Sequence, residues 1–160
     1  MKLIKIGKFV NTHGIKGEIR LLSDFKFKND VFKKGIEVVI NNKNFIIETY
    51  RVHKNYDMLT LKNINNINDI LMYKGYDVFI DKEKIEFSGL LDEDLIGLEV
   101  ISNDKTIGFV TNVIKNKAND LLEITNENKK SLIPNIKEFV LKIENKKIYI
   151  NAIKGLIDED

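Results

Sequence analysis

The sequence predicts a mainly β protein: two small β-barrel domains joined by a short linker, with one or two short helices. Three observations carry this. Apolar runs of strand length recur along the chain, separated by polar turns rich in Asn, Asp and Lys. The rhythm breaks once, over residues 81–92, and then resumes. Neither half is large enough for an open sheet covered on both faces, so each protects its exposed edges best by curling and closing. A first barrel over residues 1–85 and a second over 93–160 follow.

In chain order, Leu3-Ile4-Lys5-Ile6-Gly7-Lys8-Phe9-Val10 and Glu18-Ile19-Arg20-Leu21-Leu22 read as strands around the turn Thr12-His13-Gly14-Ile15-Lys16-Gly17. A meander follows: Ile36-Glu37-Val38-Val39-Ile40, then Phe45 to Val52, then Met58-Leu59-Thr60-Leu61. Its turns are Asn41-Asn42-Lys43-Asn44 and His53-Lys54-Asn55-Tyr56-Asp57. The stretch from Asn68 to Gly75 predicts a short helix, capped by Asn68 and ended by Gly75. Tyr76-Asp77-Val78-Phe79-Ile80 is the next strand, and the polar residues 81–92 read as a linker. Further strands are expected at 95–101, 106–114, 121–124, 131–133 and 147–150, with Pro134, the one proline, opening a helical turn at 135–140. Gly35-Ile36-Glu37-Val38 and Gly97-Leu98-Glu99-Val100 look alike, which reads as shared strand chemistry. Asn abundance reads as compositional bias of the genome.

The composition excludes several classes. With no cysteine there is no disulfide framework, thiolate metal site or cysteine nucleophile, which fits a cytoplasmic compartment. No apolar stretch is long enough to cross a bilayer as a helix. The net charge of +2 conceals a split: residues 1–87 hold 16 Lys/Arg and 11 Asp/Glu (+5), residues 88–160 hold 10 and 13 (−3). A basic first half favours phosphates or an acidic partner, and an acidic second half favours a protein contact, although ordinary solvated faces would also give the split.

The two histidines, His13 and His53, sit in predicted turns without metal-ligand spacing, so anion contact or a turn role is expected of them. Gly14-Ile15-Lys16-Gly17 lacks the spacing of a nucleotide phosphate loop. Asp92-Glu93-Asp94 reads as solvated linker or as a cap for the next element. Lys16, Arg20, Lys26 and Lys28 are interleaved with Phe25 and Phe27. The phenylalanines are assigned to the core, and His13, Lys16 and Arg20 to contact with an anion such as an RNA backbone. No convergent nucleophile, base, cofactor loop or metal cluster is visible, so neither enzyme activity nor a cofactor is expected.

Together these segments resemble the RimM family of ribosome maturation factors. The first part is similar to that family's N-terminal domain through Ile6-Gly7-Lys8-Phe9-Val10, His13-Gly14-Ile15-Lys16-Gly17-Glu18-Ile19 and Arg51-Val52-His53-Lys54. The second resembles its PRC-barrel through Asp94-Leu95-Ile96-Gly97-Leu98-Glu99-Val100, Gly108-Phe109-Val110, Ala118-Asn119-Asp120-Leu121-Leu122, Leu132-Ile133-Pro134 and Gly155-Leu156-Ile157. The resemblance implies a non-catalytic assembly chaperone that binds the immature small ribosomal subunit. It would aid maturation of the subunit's head domain and processing of small-subunit rRNA. It also implies a protein partner, the ribosomal head protein numbered nineteen, engaged mainly through the PRC-barrel. Leu90 and Leu91 stand where the family usually carries an aromatic pair associated with subunit binding. They are carried over by position as partner contacts, and Asn119 and Asp120 are expected to fix a turn that shapes the same binding face. The alternative is a general RNA-binding β-barrel protein with no specific ribosomal protein partner. A monomer suffices for either.

Overall fold

The computed structural model describes residues 1–151; the predicted closing segment Gly155-Leu156-Ile157 lies outside the described residues. The chain forms two units, Met1–Gly89 and Leu90–Asp160.

The first unit is built on β1 (Leu3–His13), β2 (Glu18–Leu22), β3 (Glu37–Ile40), β4 (Lys43–His53), β5 (Tyr56–Leu61) and β6 (Asp77–Asp81), with a one-turn helix α1 (Lys28–Val31) between β2 and β3. The strands close into a barrel in the order β1-β2-β5-β4-β3-β6, every described pairing antiparallel. Alternation along each strand fills the interior: Ile6 and Phe9, Ile19 and Leu21, Val38 and Ile40, Leu59 and Leu61, Val78 and Ile80 are all buried. Each such side chain contributes roughly 1.5–3 kcal/mol relative to exposure.

The second unit begins with a one-turn helix α2 (Asp92–Leu95). It continues through β7 (Glu99–Ser102), β8 (Lys105–Ile114), β9 (Leu121–Asn126), β10 (Lys129–Pro134), β11 (Val140–Glu144) and β12 (Lys147–Ile150). The sheet order is β10-β9-β8-β7-β12-β11, with β7 and β12 parallel. A flat sheet of six strands would hold its end strands about 24 Å apart. Here residues 135–139 join those two end strands and are folded as a turn, with Phe139 N and Val140 N both donating to Ile136 O (3.1 and 2.8 Å). The sheet therefore curls, wrapping Leu95, Val100, Val110, Leu122, Ile124, Ile133, Ile148 and Ile150 into one core. The protein is thus mainly β with two sheets and only short helical pieces, as expected.

Local departures have physical causes. The predicted helix after residue 68 is a pair of 3-10 turns, Ile67–Asp69 and Leu71–Tyr73. Asn66, not Asn68, caps the first, its side-chain oxygen accepting from Asn68 N at 2.9 Å. Gly75 does end the segment, its N–H donating to Phe9 O at 2.7 Å. Much of the stretch read as linker belongs to the first barrel: Ile85 and Phe87 pack on its core, and Ser88 donates through N and Oγ to Asp30 Oδ2. Asp92-Glu93-Asp94 forms the first turn of α2, where Asp94 Oδ2 accepts from Leu91 N at 3.3 Å. Pro134 ends β10 instead of opening the turn.

Asn also has a structural task. Asn41-Asn42, Lys54-Asn55, Asn103-Asp104 and Asn145-Lys146 all have positive φ at two successive residues, which is what two-residue hairpins require and Asn tolerates best after Gly. The Gly35 and Gly97 segments share more than composition. Gly35 N donates to Ile47 O while Ile47 N donates to Ile36 O. Gly97 N donates to Val110 O while Val110 N donates to Leu98 O. Both units thus pin the start of a strand in the same way.

Candidate functional site: a cationic face on the first barrel

Residues opposite one another across antiparallel strands lie on the same face. Ile19, Leu21 and Leu59 point into the barrel, so Glu18, Arg20 and Met58 point out. Met58 is the register partner of both Arg20 on β2 and Arg51 on β4. His13 pairs with Glu18, and His53 with Tyr56. The outer face of β1-β2-β5-β4 thereby gathers two arginines and two histidines at one end of the barrel.

The contacts within this face are specific. Arg20 Nη2 donates to His13 Nδ1 at 3.1 Å. The Arg20 guanidinium lies over the Tyr56 ring, 5.1 Å from its centroid, which favours the cation and fixes its plane. Its Nε–H is buried and has no hydrogen-bond partner among the described residues. The His13 and His53 rings are 5.4 Å apart. Arg51 is occupied differently: Nε and Nη2 donate to the two Glu18 carboxylate oxygens at 2.9 and 2.7 Å, a bidentate pair. Arg51's hydrogen bonds hold the Glu18 carboxyl below the usual carboxylate range against a burial that pushes it up. The His53 imidazole is held below its ordinary value, first by partial burial and then by neighbouring positive charge, Arg51's above all.

The β1–β2 turn fixes the edge of this face. Gly17 has φ +93°, and a Cβ there would lie 2.8 Å from Ile64 Cγ2 and 3.1 Å from Asn66 O. Ile67 N donates to Ile15 O at 2.9 Å. The turn is therefore pressed against the segment before the first 3-10 turn, leaving Lys16 exposed at its tip. Below the face, the buried Asp57 accepts from Tyr50 Oη (2.6 Å) and Lys28 Nζ (2.9 Å). Burial and that carboxylate push the Tyr50 phenol well above its ordinary value.

His13 and Arg20 are brought into direct contact, and Lys16 lies on the adjoining turn. His13 and His53 are not turn residues, as expected from sequence, but the last residues of β1 and β4. Lys28 is a structural ion-pair partner, and Lys26 Nζ lies over the Phe27 ring. Phe25 packs against the core, and Phe25, Phe27 and Phe87 meet at centroid distances of 6.0–6.3 Å. Sequence reasoning missed Arg51, Tyr56 and Glu18 as members of the face, and for His53 it offered anion contact or a turn role without placing it beside His13. The two-residue Lys54-Asn55 turn gives the signal for pairing His53 with Tyr56. The approach of β2 to β5 has no sequence signal, because the two strands are not consecutive.

In the second unit Leu91 is buried, whereas Leu90 is 40% exposed. Lys115 Nζ reaches Asp92 Oδ2 at 2.6 Å and Asp120 Oδ2 at 3.2 Å. Burial pulls the Lys115 ammonium down, but the bonds to Asp92 and Asp120 outweigh it and its pKa is raised. The Asp120 carbonyl accepts from Asn135 N at 2.8 Å. Lys115 thus places the start of α2, just after Leu90 and Leu91, beside Asp120 and the exposed Asn119. Among the described residues no group of three or more His, Cys, Asp or Glu could hold a metal ion, and no helix is long and apolar enough to cross a membrane.

Two family models match in tandem: the RimM N-terminal domain over residues 4–85 and the RimM PRC barrel domain over residues 92–155. The chain is 39% identical to a ribosome maturation factor RimM of Staphylococcus aureus and 41% identical to one of Staphylococcus saprophyticus; each comparison covers 97% of this chain and 99% of the relative. Identity to the protein of that name from Exiguobacterium sibiricum is 34%, over 99% of both. Two domain models matched in order, and relatives this similar across nearly their whole length, show that the chain belongs to the RimM family of ribosome maturation factors.

Proposed function

We propose that this protein is a cytoplasmic, non-catalytic assembly chaperone of the small ribosomal subunit. The observation that carries the reading is the outer face of the first barrel, where Arg20 has a histidine and an aromatic ring for neighbours and, among the described residues, no carboxylate partner. A cation presented rigidly in this way favours the phosphate backbone of RNA. With Lys16 at the turn and His13 beside it, the face would grip small-subunit rRNA in the immature head domain. The acidic second unit, at the end carrying Leu90, Leu91, Asn119 and Asp120, complements a basic partner, and the ribosomal head protein numbered nineteen fits that chemistry. Each of the two units, Met1–Gly89 and Leu90–Asp160, would then carry one contact. As a monomer the protein would work by binding energy alone, stabilising one conformation of the RNA and its head protein and leaving once that conformation is locked.

The test is gradient sedimentation of cell extract probed for the protein, alongside the Lys16→Ala/Arg20→Ala double variant. Enrichment with free small subunits, absence from full ribosomes and weakened association of the folded variant are expected. Even spread with bulk RNA would favour a general RNA binder. Wild-type association by the double variant would remove the site assignment, and turnover of RNA by pure protein would replace the chaperone with an enzyme.

A further inference from the structure

Arginine carries only donors, so the 3.1 Å contact from Arg20 Nη2 to His13 Nδ1 requires an unprotonated Nδ1. His13 in this state is neutral, with its proton on Nε2. The resting face therefore holds Arg20 on an imidazole that cannot be protonated without losing that bond. Glu18, the carboxylate of this face, is committed to Arg51 through both oxygens. The Arg20 Nε–H has no partner among the described residues. His53 lies beside His13, with ring centroids 5.4 Å apart. The charged or titratable groups around the two rings are Arg20 and Glu18 from β2, Arg51 from β4, Lys54 from the following turn and Tyr56 from β5; Lys16 lies on the β1–β2 turn. Arg51, Arg20 and Lys54, and His13 whenever it is protonated, disfavour the charged form of His53. The arrangement thus holds one anion, Glu18, already taken by Arg51, and none that is given to Arg20.

We propose that His13, Arg20 and His53 form a proton-coupled clasp for one phosphodiester group of RNA. The anion takes over the Arg20 guanidinium from His13, and both rings bind it as imidazoliums, drawing their protons from solvent. This rests on the reading of the face as an RNA contact and adds its mechanism. By linkage, a ligand that binds the protonated rings better raises their pKa in the complex. Affinity then rises as pH falls toward the free-state values and is lost as pH climbs through the bound-state values. Because the chain has two histidines in all, few other groups titrate between about pH 6 and pH 8.

The experiment measures binding of the full chain to a transcript of the small-subunit head-domain rRNA from pH 8 to pH 6 at fixed ionic strength. Wild type, His13→Gln/His53→Gln and Arg20→Lys are compared. Wild-type affinity should rise roughly ten- to a hundredfold per pH unit on acidification where both rings take up a proton, the limit being tenfold for each proton. The double histidine variant should bind with little pH dependence, and Arg20→Lys should bind more weakly with a shallower slope. The ring C–H resonances of His13 and His53 should titrate at higher pH with RNA bound. Wild-type binding that does not change with pH overturns the clasp and leaves the chaperone reading standing. A slope that survives in the histidine variant also overturns it. Failure to bind the transcript at any pH overturns both the clasp and the RNA contact on which it rests.

Discussion

The two units differ in how particular cations are held. In the second, one lysine, Lys115, is shared by two carboxylates, Asp92 and Asp120, at 2.6 and 3.2 Å. In the first, the outward arginines are divided: Arg51 has both oxygens of Glu18, while Arg20 has the lone pair of a neutral imidazole. Beneath that face a single buried carboxylate, Asp57, is held by a lysine and a phenol. The second unit uses Lys115 as a strut between the start of α2 and Asp120. The first also pairs lysines with carboxylates, Lys5 with Asp77, Lys34 with Glu48 and Lys84 with Glu37, but leaves Arg20 on an imidazole. The +5/−3 split is a count over the sequence; what the structure adds is that Arg20, in the first unit, contacts an imidazole where Arg51 contacts a carboxylate.

The largest effect is expected at Asp57. Its side chain is 3% exposed, and Tyr50 Oη and Lys28 Nζ both depend on it. Asp57→Asn leaves an amide opposite a lysine and removes the charge that pairs it, at a cost of about 3 kcal/mol. Urea unfolding of the full chain measures it, with the loss in the first unit's transition. Arg20 and Arg51 come next. Arg20→Ala should weaken rRNA binding about tenfold, because its charge is not cancelled by a carboxylate, whereas Arg51→Ala should cost only about threefold. Equal losses would mean that the Glu18 pair does not quiet Arg51. Smaller still is Lys115→Met, expected to destabilise the second unit by about 1 kcal/mol or less, since half-exposed pairs are weak. The measurable sign is a lower denaturation midpoint that recovers in part as salt screens Asp92 from Asp120.

Much of the fold was legible because each strand alternates: Glu18-Ile19-Arg20-Leu21 shows its faces without coordinates. The hairpins were legible because Asn and Lys interrupt the apolar runs, although the two-residue turns are tighter than the polar stretches suggest. The linker reading of residues 81–92 failed because Ile85 and Phe87 are isolated apolar residues among charges; only their packing on the barrel and the Ser88–Asp30 bonds reveal them as part of the first unit. The face was half legible. His13, Lys16 and Arg20 lie within one hairpin, so local reading reaches them. Arg51, His53 and Tyr56 join through the β2–β5 pairing, a contact between strands separated by the whole β3–β4 hairpin. Closure of the barrel creates it, and no local pattern encodes closure register. Leu91 shows the same limit in the second unit, since an adjacent Leu pair does not say which member is buried.

The subtlest prediction concerns acid. Glu18 is lowered below its unfolded value chiefly by Arg51. A lowered carboxylate contributes stability that is fully present above the unfolded pKa, about 4.3, and is lost as pH falls through the folded value. Glu18→Gln should therefore lower the midpoint of thermal unfolding slightly at pH 7 and leave it unchanged near pH 2, where the wild-type carboxylate is protonated as well. Wild type and variant curves should converge as pH drops below about 4. The same substitution frees Arg51. If the division between the arginines is real, Glu18→Gln should strengthen rRNA binding at neutral pH while it weakens the fold. A variant that loses stability without gaining RNA affinity would mean that Arg51 faces no phosphate, and the cationic face would contract to His13, Arg20 and His53.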